Sequence, residues 1–206
     1  MAGNMTTRAI RGLLRTASAA RNAGERDAAH RAWLRAIELD DGADAELTGD
    51  PELPPFRLRP YLLLARDLRD HGDAAGALAI LEQAIVRWSD DADLQMLLGV
   101  CHNSLDDWER AASAFRRCIH IEPRPYICIL LAGTLDKLGR FGEALHWLRH
   151  SLVVDPNYEE AHYNLGCVFE RNGDRDAAIA HLSRAIELDP DYELAREKLA
   201  SLLTSH

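Results

Sequence analysis

Two histidines four residues apart, His146 and His150, come nearest to a metal-binding pattern in this sequence. On a helix that spacing brings two imidazoles to one side, within reach of a single ion. No third ligand stands beside them, and the segment reads as the outward face of a helix. The pair is therefore expected to be solvated surface, and the chain to hold no metal. Cys101, Cys118, Cys128 and Cys167 lack paired spacing such as C-x-x-C. Cys167 lies one helical turn after Tyr163, but no base stands where it would generate a thiolate. No Ser/His/Asp or Cys/His set and no glycine-rich phosphate loop occurs in a recognisable motif. These residues predict no enzyme and no cofactor, and they turn attention to the elements that shape a binding surface.

Those elements repeat. The pair Leu64-Ala65 returns as Leu98-Gly99, Leu131-Ala132, Leu165-Gly166 and Leu199-Ala200, at intervals of 34, 33, 34 and 34 residues. Ala77 returns as Ala111, Ala144 and Ala178; Leu81 as Phe115, Leu148 and Leu182; Ala84 as Cys118, Ser151 and Ala185. Gly72, Gly139 and Gly173 share one register, with Asp106 in the remaining slot. A fixed period in this range is the signature of stacked repeats. Each period reads as two amphipathic helices. In the last, Ala161, Leu165, Gly166 and Phe169 lie on one face, and Asn172-Gly173-Asp174 breaks the helix. Ala178, Leu182, Ala185 and Ile186 then form a second stripe, ended at Asp189-Pro190 because a residue before proline avoids the helical region. Small residues at a close helix crossing leave room that leucine or phenylalanine fills from beside it.

With Leu165-Gly166, Phe169, Gly173, Ala178, Leu182, Ala185 and Pro190 in place, the chain resembles the tetratricopeptide repeat family. Leu131-Ala132, Leu135, Gly139, Ala144, Leu148, Ser151 and Pro156 form a second copy. Leu98-Gly99, Ala111, Phe115, Cys118 and Pro123 form a third, and Leu64-Ala65, Leu68, Gly72, Ala77, Leu81 and Ala84 a fourth. A weaker fifth copy (Thr16-Ala17, Gly24, Ala29, Trp33, Ala36) lies 48 residues before its neighbour, so about 14 residues are inserted. The resemblance implies an all-α, right-handed superhelix of five repeats over 10–43, 58–91, 92–124, 125–158 and 159–192, as one solenoid. A capping helix is expected over 193–203, with Glu193, Arg196, Glu197 and Lys198 as its polar outer face. Between the first two repeats, residues 41–60 are acidic and contain Pro51, Pro54, Pro55 and Pro60, which predicts a loop. That loop is either a surface insertion or a flap that folds over the groove or docks a partner.

Composition narrows the partners. A net charge of −9 argues against nucleic acid. No apolar run is long enough to span a membrane, and the first eight residues do not read as a secretory signal. Cysteines without paired spacing suit a reducing cytoplasm. Lys137 and Lys198 are the only lysines against many arginines, a bias that suits a GC-rich bacterial genome.

In a superhelix of helix pairs the first helices line the concave face. The resemblance implies that ligands contact first-helix residues pointing away from the partner helix. In this chain these are Arg15, then Arg59, Leu62, Leu63, Arg66 and Arg69, then Met96, Leu97, Val100 and Asn103, then Tyr126, Ile129 and Leu130, and last Tyr163, Asn164 and Cys167. Asp93, Gly133, Asp136, Glu160 and Glu170 share those faces. The set is basic at its start and apolar in its middle. The stretch from Ile127 to Ala132 is apolar all round, so a partner, the chain's own loop or a second copy is expected to cover it. The function this implies is non-catalytic binding of a peptide or helix, with a dedicated chaperone for an apolar client segment, or an accessory subunit of an enzyme complex, as alternatives. One subset of the family clamps chaperone-tail carboxylates with lysines and asparagines. Leu14, Ser18, Leu63, Asp93 and Leu97 stand at such positions here, which argues against that ligand.

Overall fold

A computed structural model describes residues 2–43 and 57–204. Among them are eleven helices and no strand. They form two compact units, Met1–Leu105 and Asp106–His206, divided inside the expected third repeat.

The first unit contains α1 (Ala2–Asn22), α2 (Arg26–Ala43), α3 (Arg59–Asp70), α4 (Ala74–Ile85) and α5 (Ala92–Ser104), and each helix packs on the next. The expected small and large positions are its core: Ala17, Ala29, Trp33, Leu64, Ala65, Ala77, Leu81 and Ala84 are all buried. Sequence-coded caps set the helix starts. The Asp73 carboxylate accepts from Gly76 N (2.8 Å) and that of Asp91 from Leu94 N (2.9 Å). The predicted loop over 41–60 is shorter at both ends than expected. Residues 41–43 continue α2, and Arg59 and Pro60 open α3, where a first-turn proline loses no hydrogen bond. Positions 44–56 lie outside the described residues.

Two ion clusters hold this unit together. Asp40 on α2 is 1% exposed and ion-pairs with Arg57, itself buried. Arg87 reaches Asp40 Oδ2 at 3.4 Å and donates to the Tyr61 hydroxyl at 3.1 Å. The Tyr61 ring packs on Trp88, centroids 5.5 Å apart. Between α2 and α3, Asp67 accepts from Arg26 Nε (2.8 Å) and meets His30 Nε2 (2.6 Å).

The second unit contains α6 (Trp108–Ile121), α7 (Pro125–Lys137), α8 (Phe141–Val154), α9 (Glu159–Arg171), α10 (Arg175–Leu188) and α11 (Glu193–Thr204). The helix pairs α7–α8 and α9–α10 are two repeats, and α11 packs on α10. Gly166 shows why the repeat needs a small residue there: a Cβ would lie 2.7 Å from Leu182 Cγ. Gly139 and Gly173 turn the chain with φ of 71° and 78°, and Asp106 takes the same left-handed conformation at 58°. The capping helix is less polar outside than expected. Leu194 and Leu203 are both 56% exposed, and Lys198 turns to Glu170 (2.6 Å).

Candidate protein-binding surface

Each unit carries a cleft on the predicted first-helix faces. In the first unit, Leu58, Arg59, Leu62, Leu63 and Arg66, at the start and on the outer side of α3, meet Asp91 and Asp93 at the start of α5. The cleft holds about 410 Å³. Helical spacing puts Arg59, Leu62, Leu63 and Arg66 on one face. Leu62 and Leu63 are half-buried at its floor, and both arginines are exposed. Arg59 and Arg66 make no ion pair among the described residues, whereas the Asp91 carboxylate is engaged as the α5 cap. The cleft thus offers two guanidiniums beside an apolar floor, the donors suited to a carboxylate-bearing segment.

In the second unit a smaller cleft of about 80 Å³ runs between α7 and α9. Ile129, Ala132 and Gly133 form one wall, Asn164, Cys167 and Val168 the other, and Ala144 and Leu148 lie beneath. One end is closed by Arg171, which donates to Asp136 Oδ2 at 2.6 Å. The Asn164 amide donates to the carbonyl of Glu160 on its own helix (2.7 Å), so that donor is already used. Burial pushes the Cys167 thiol above its ordinary value, although a hydrogen bond with Tyr163 opposes this. A raised thiol pKa leaves little thiolate at neutral pH.

Several predicted groove residues sit elsewhere. Leu97 is 1% exposed and belongs to the core of the first unit, so it is no ligand anchor. Its position packs inward because α5 lies against both α3 and α4. Arg69 is held by its neighbour Asp70, Nε to Oδ1 3.0 Å, and lines neither cleft. Tyr163 packs against Tyr192 (centroids 5.1 Å) and the cluster of Ala178, Leu182 and Leu202. Met96, Val100 and Asn103 are half-buried on α5, Leu130 is half-buried on α7, Tyr126 is 36% exposed, and Arg15 is exposed on α1. The stretch from Ile127 to Ala132 is covered more fully than its composition implies. Ile127, Cys128, Leu131 and Ala132 are buried, leaving Ile129 and Leu130 half-buried beside the exposed Gly133. Leu58, Asp91 and Arg171 were not among the expected lining residues. Arg171 follows Cys167 by four residues, a helical neighbour that spacing alone could have added.

The chemistry residues are equally plain. His146 is exposed and His150 half-buried, their ring centroids 6.5 Å apart, and His150 Nδ1 lies 3.7 Å from Cys128 Sγ. Burial raises Cys101 and Cys128 to about 11, and Cys118 is fully buried, so these thiols act as packing. Trp33 is core and Trp88 packs on Tyr61. No described helix is long and apolar enough to cross a membrane.

Comparison with known proteins agrees with this geometry. Models of the tetratricopeptide repeat match residues 62–124 and 159–192, and a TPR repeat model matches 137–173. Anaphase-promoting complex subunit 3 of Schizosaccharomyces pombe is 26% identical over 153 residues, which are 74% of this chain and 23% of that protein. Protein O-mannosyl-transferase TMTC1 of Mus musculus is 24% identical over 155 residues, 73% of this chain and 16% of that protein. The chain thus spans less than a quarter of the length of these curated relatives. Among solved structures, the MamA protein superposes with a TM-score of 0.73 at 19% identity, covering 97% of this chain and 98% of that one. A chain of the APC/C Cut9–Hcn1 hetero-tetramer gives 0.66 at 22% identity, over 91% of this chain and 35% of that chain. A thermophilic TPR protein of Thermus thermophilus gives 0.62 at 21% identity, over 95% and 100%. With helix pairs, small-against-large contacts and left-handed turns all in the register of those repeats, the chain belongs to the tetratricopeptide repeat family.

Proposed function

We propose that this chain is a non-catalytic scaffold that binds a segment of a partner protein on its first-helix faces, chiefly in the cleft of α3 and α5. The observation that carries this reading is the pairing of Arg59 and Arg66, exposed and without ion pairs among the described residues, with the apolar floor of Leu62 and Leu63. A partner segment with an apolar residue and a nearby carboxylate satisfies both. A segment burying about 400 Å² of apolar surface gains about 10 kcal/mol gross at about 25 cal/mol per Å². Ordering and association remove much of that, leaving micromolar to nanomolar affinity. The subunit name of one relative and the hetero-tetramer of one structural neighbour support work within an assembly. The match to a transferase covers only 16% of that enzyme and carries no activity to this chain.

The test is an affinity capture from the native organism, read by mass spectrometry, with wild type beside Arg59→Glu/Arg66→Glu. Both arginines are exposed, so the variant is expected to fold, and circular dichroism checks that it does. A protein captured by wild type and lost by the variant supports the cleft and names the partner. Equal capture by both rejects it.

A further inference from the structure

The histidine pair whose rings lie closer is not the one that sequence spacing selects: the His146 and His150 centroids are 6.5 Å apart, those of His162 and His181 5.2 Å. His162 on α9 and His181 on α10 stand 19 positions apart, yet their Nδ1 atoms are 3.0 Å from each other. Two nitrogens bound to one ion at about 2.0–2.1 Å, with an angle of about 90–110° between them, lie about 2.8–3.4 Å apart. The separation that serves a mutual hydrogen bond here therefore also serves two adjacent positions on one ion.

The surroundings favour that use. The His181 ring stacks on Phe169, with an interplanar angle of 11° and centroids 5.4 Å apart, which fixes its plane. The Pro156 main chain lies near the His162 ring and works to raise its pKa, against the effect of burial. Both rings are half-buried, close enough to the surface for an ion to enter. Burial holds both below the ordinary histidine value, as does His162 for His181, with Arg184 acting on the first and Arg149 on the second. Metal binds the neutral form of imidazole, which a lowered value favours. Arg184 is itself neutralised by Glu187 (2.9 Å) and tied to Asn157 (3.1 Å). No group of three or more ligating side chains occurs among the described residues, so water would fill the remaining positions.

We propose that His162 and His181 form a two-histidine clip for a borderline divalent transition-metal ion, Zn(II) or Ni(II), which fastens α9 to α10. Binding moves the hydrogen shared between the two Nδ1 atoms to the other nitrogen of the ring that carries it, so both Nδ1 lone pairs become available to the ion and no proton leaves. The fastened helix pair is the one that presents Asn164 and Cys167 to the second cleft.

Zn(II) and, separately, Ni(II) are titrated into the full chain freed of any histidine tag, followed by calorimetry and by the thermal midpoint. Wild type should bind one ion and gain in midpoint. His181→Gln should weaken binding at least ~10-fold, and His146→Gln/His150→Gln should bind as wild type does. Absence of saturable binding by wild type below about 1 mM, or loss of binding only in the His146/His150 variant, overturns the clip. If His181→Gln does not fold, paramagnetic Ni(II) broadening of the wild-type ring resonances decides. His162 and His181 should broaden first among the nine histidines. Broadening led by His146 and His150, or equal at all nine, overturns it.

Discussion

The two units solve the same packing problem with different electrostatics. In the first, where the repeat period is interrupted, charge is taken into the interior: Asp40 and Arg57 are buried together, and the Asp67 side chain is only 13% exposed beside Arg26 and His30. In the second, where the repeats follow without interruption, ion pairs stay on the surface. Glu143 joins Arg140 and Arg116, Asp136 joins Arg171, and Arg184 joins Glu187, with partners 23–64% exposed. A regular period supplies its own small and large positions, so apolar stripes alone bring the helices together. Where the insertion breaks that period, α2 still packs on α3, and ion pairs from Arg26 and His30 to Asp67 join the two helices. Buried pairs are costly to break, because the survivor is left as an unpaired charge.

The sharpest test of that contrast removes one charge from each unit. Asp40→Ala removes the buried carboxylate that Arg57 and Arg87 share and should destabilise by about 3–5 kcal/mol in chemical denaturation. Asp136→Ala removes a surface pair and should change stability by about 1 kcal/mol or less. Equal losses would mean that the two units are not held differently.

Packing gives the next effect, this time in the second unit. Gly166→Ala puts a methyl against Leu182 Cγ, near the Ala178 carbonyl as well, and should cost about 1–3 kcal/mol. Gly133→Ala, on the open wall of the cleft where a Cβ meets nothing within 4 Å, should not destabilise. A neutral Gly166→Ala would show that the repeat tolerates a wider helix crossing than its small residue implies.

Acid separates the units further. Burial works to raise the Asp67 carboxyl, but the hydrogen bonds from Arg26 and His30 prevail and hold it below the usual carboxylate range. A depressed folded value adds stability that is present above the unfolded value, about pH 4, and is lost as pH falls below it. The stability of wild type should therefore drop more steeply than that of Asp67→Asn between about pH 5 and 3, read from denaturation midpoints.

The smallest expected effect concerns the one turn where aspartate stands in a glycine register. Asp106→Gly relieves a left-handed residue with φ of 58° and should stabilise by roughly 0.5–1 kcal/mol. A loss instead would show that the Asp106 side chain holds the turn.

How much was legible differs by residue. Leu64, Ala65, Ala77, Leu81 and Ala84 could be placed because a repeated register states which side of a helix faces its partner. The face of Arg59, Leu62, Leu63 and Arg66 was legible for the same reason, and all four meet in one cleft. Leu97 was misplaced because the period identifies a helix face only to within about 100° per residue, and a residue at the edge of that face turns inward when two neighbouring helices press on it. Arg69 was misplaced because its neighbour Asp70 captures it, which spacing does not express. The link of Asp40 with Arg57 and Arg87 left no trace in any motif.

Residue order alone was enough for the repeat, its small positions and its helix boundaries away from the insertion. Those follow from local spacing and from steric limits within a turn or two of helix. What stands opposite what emerged only from the packed helices: which charges are buried, which arginines of the first cleft make no ion pair among the described residues, and that His162 meets His181 rather than His146 meeting His150. Such contacts join residues far apart in the chain, and their geometry depends on how two helices cross, a quantity no local pattern carries.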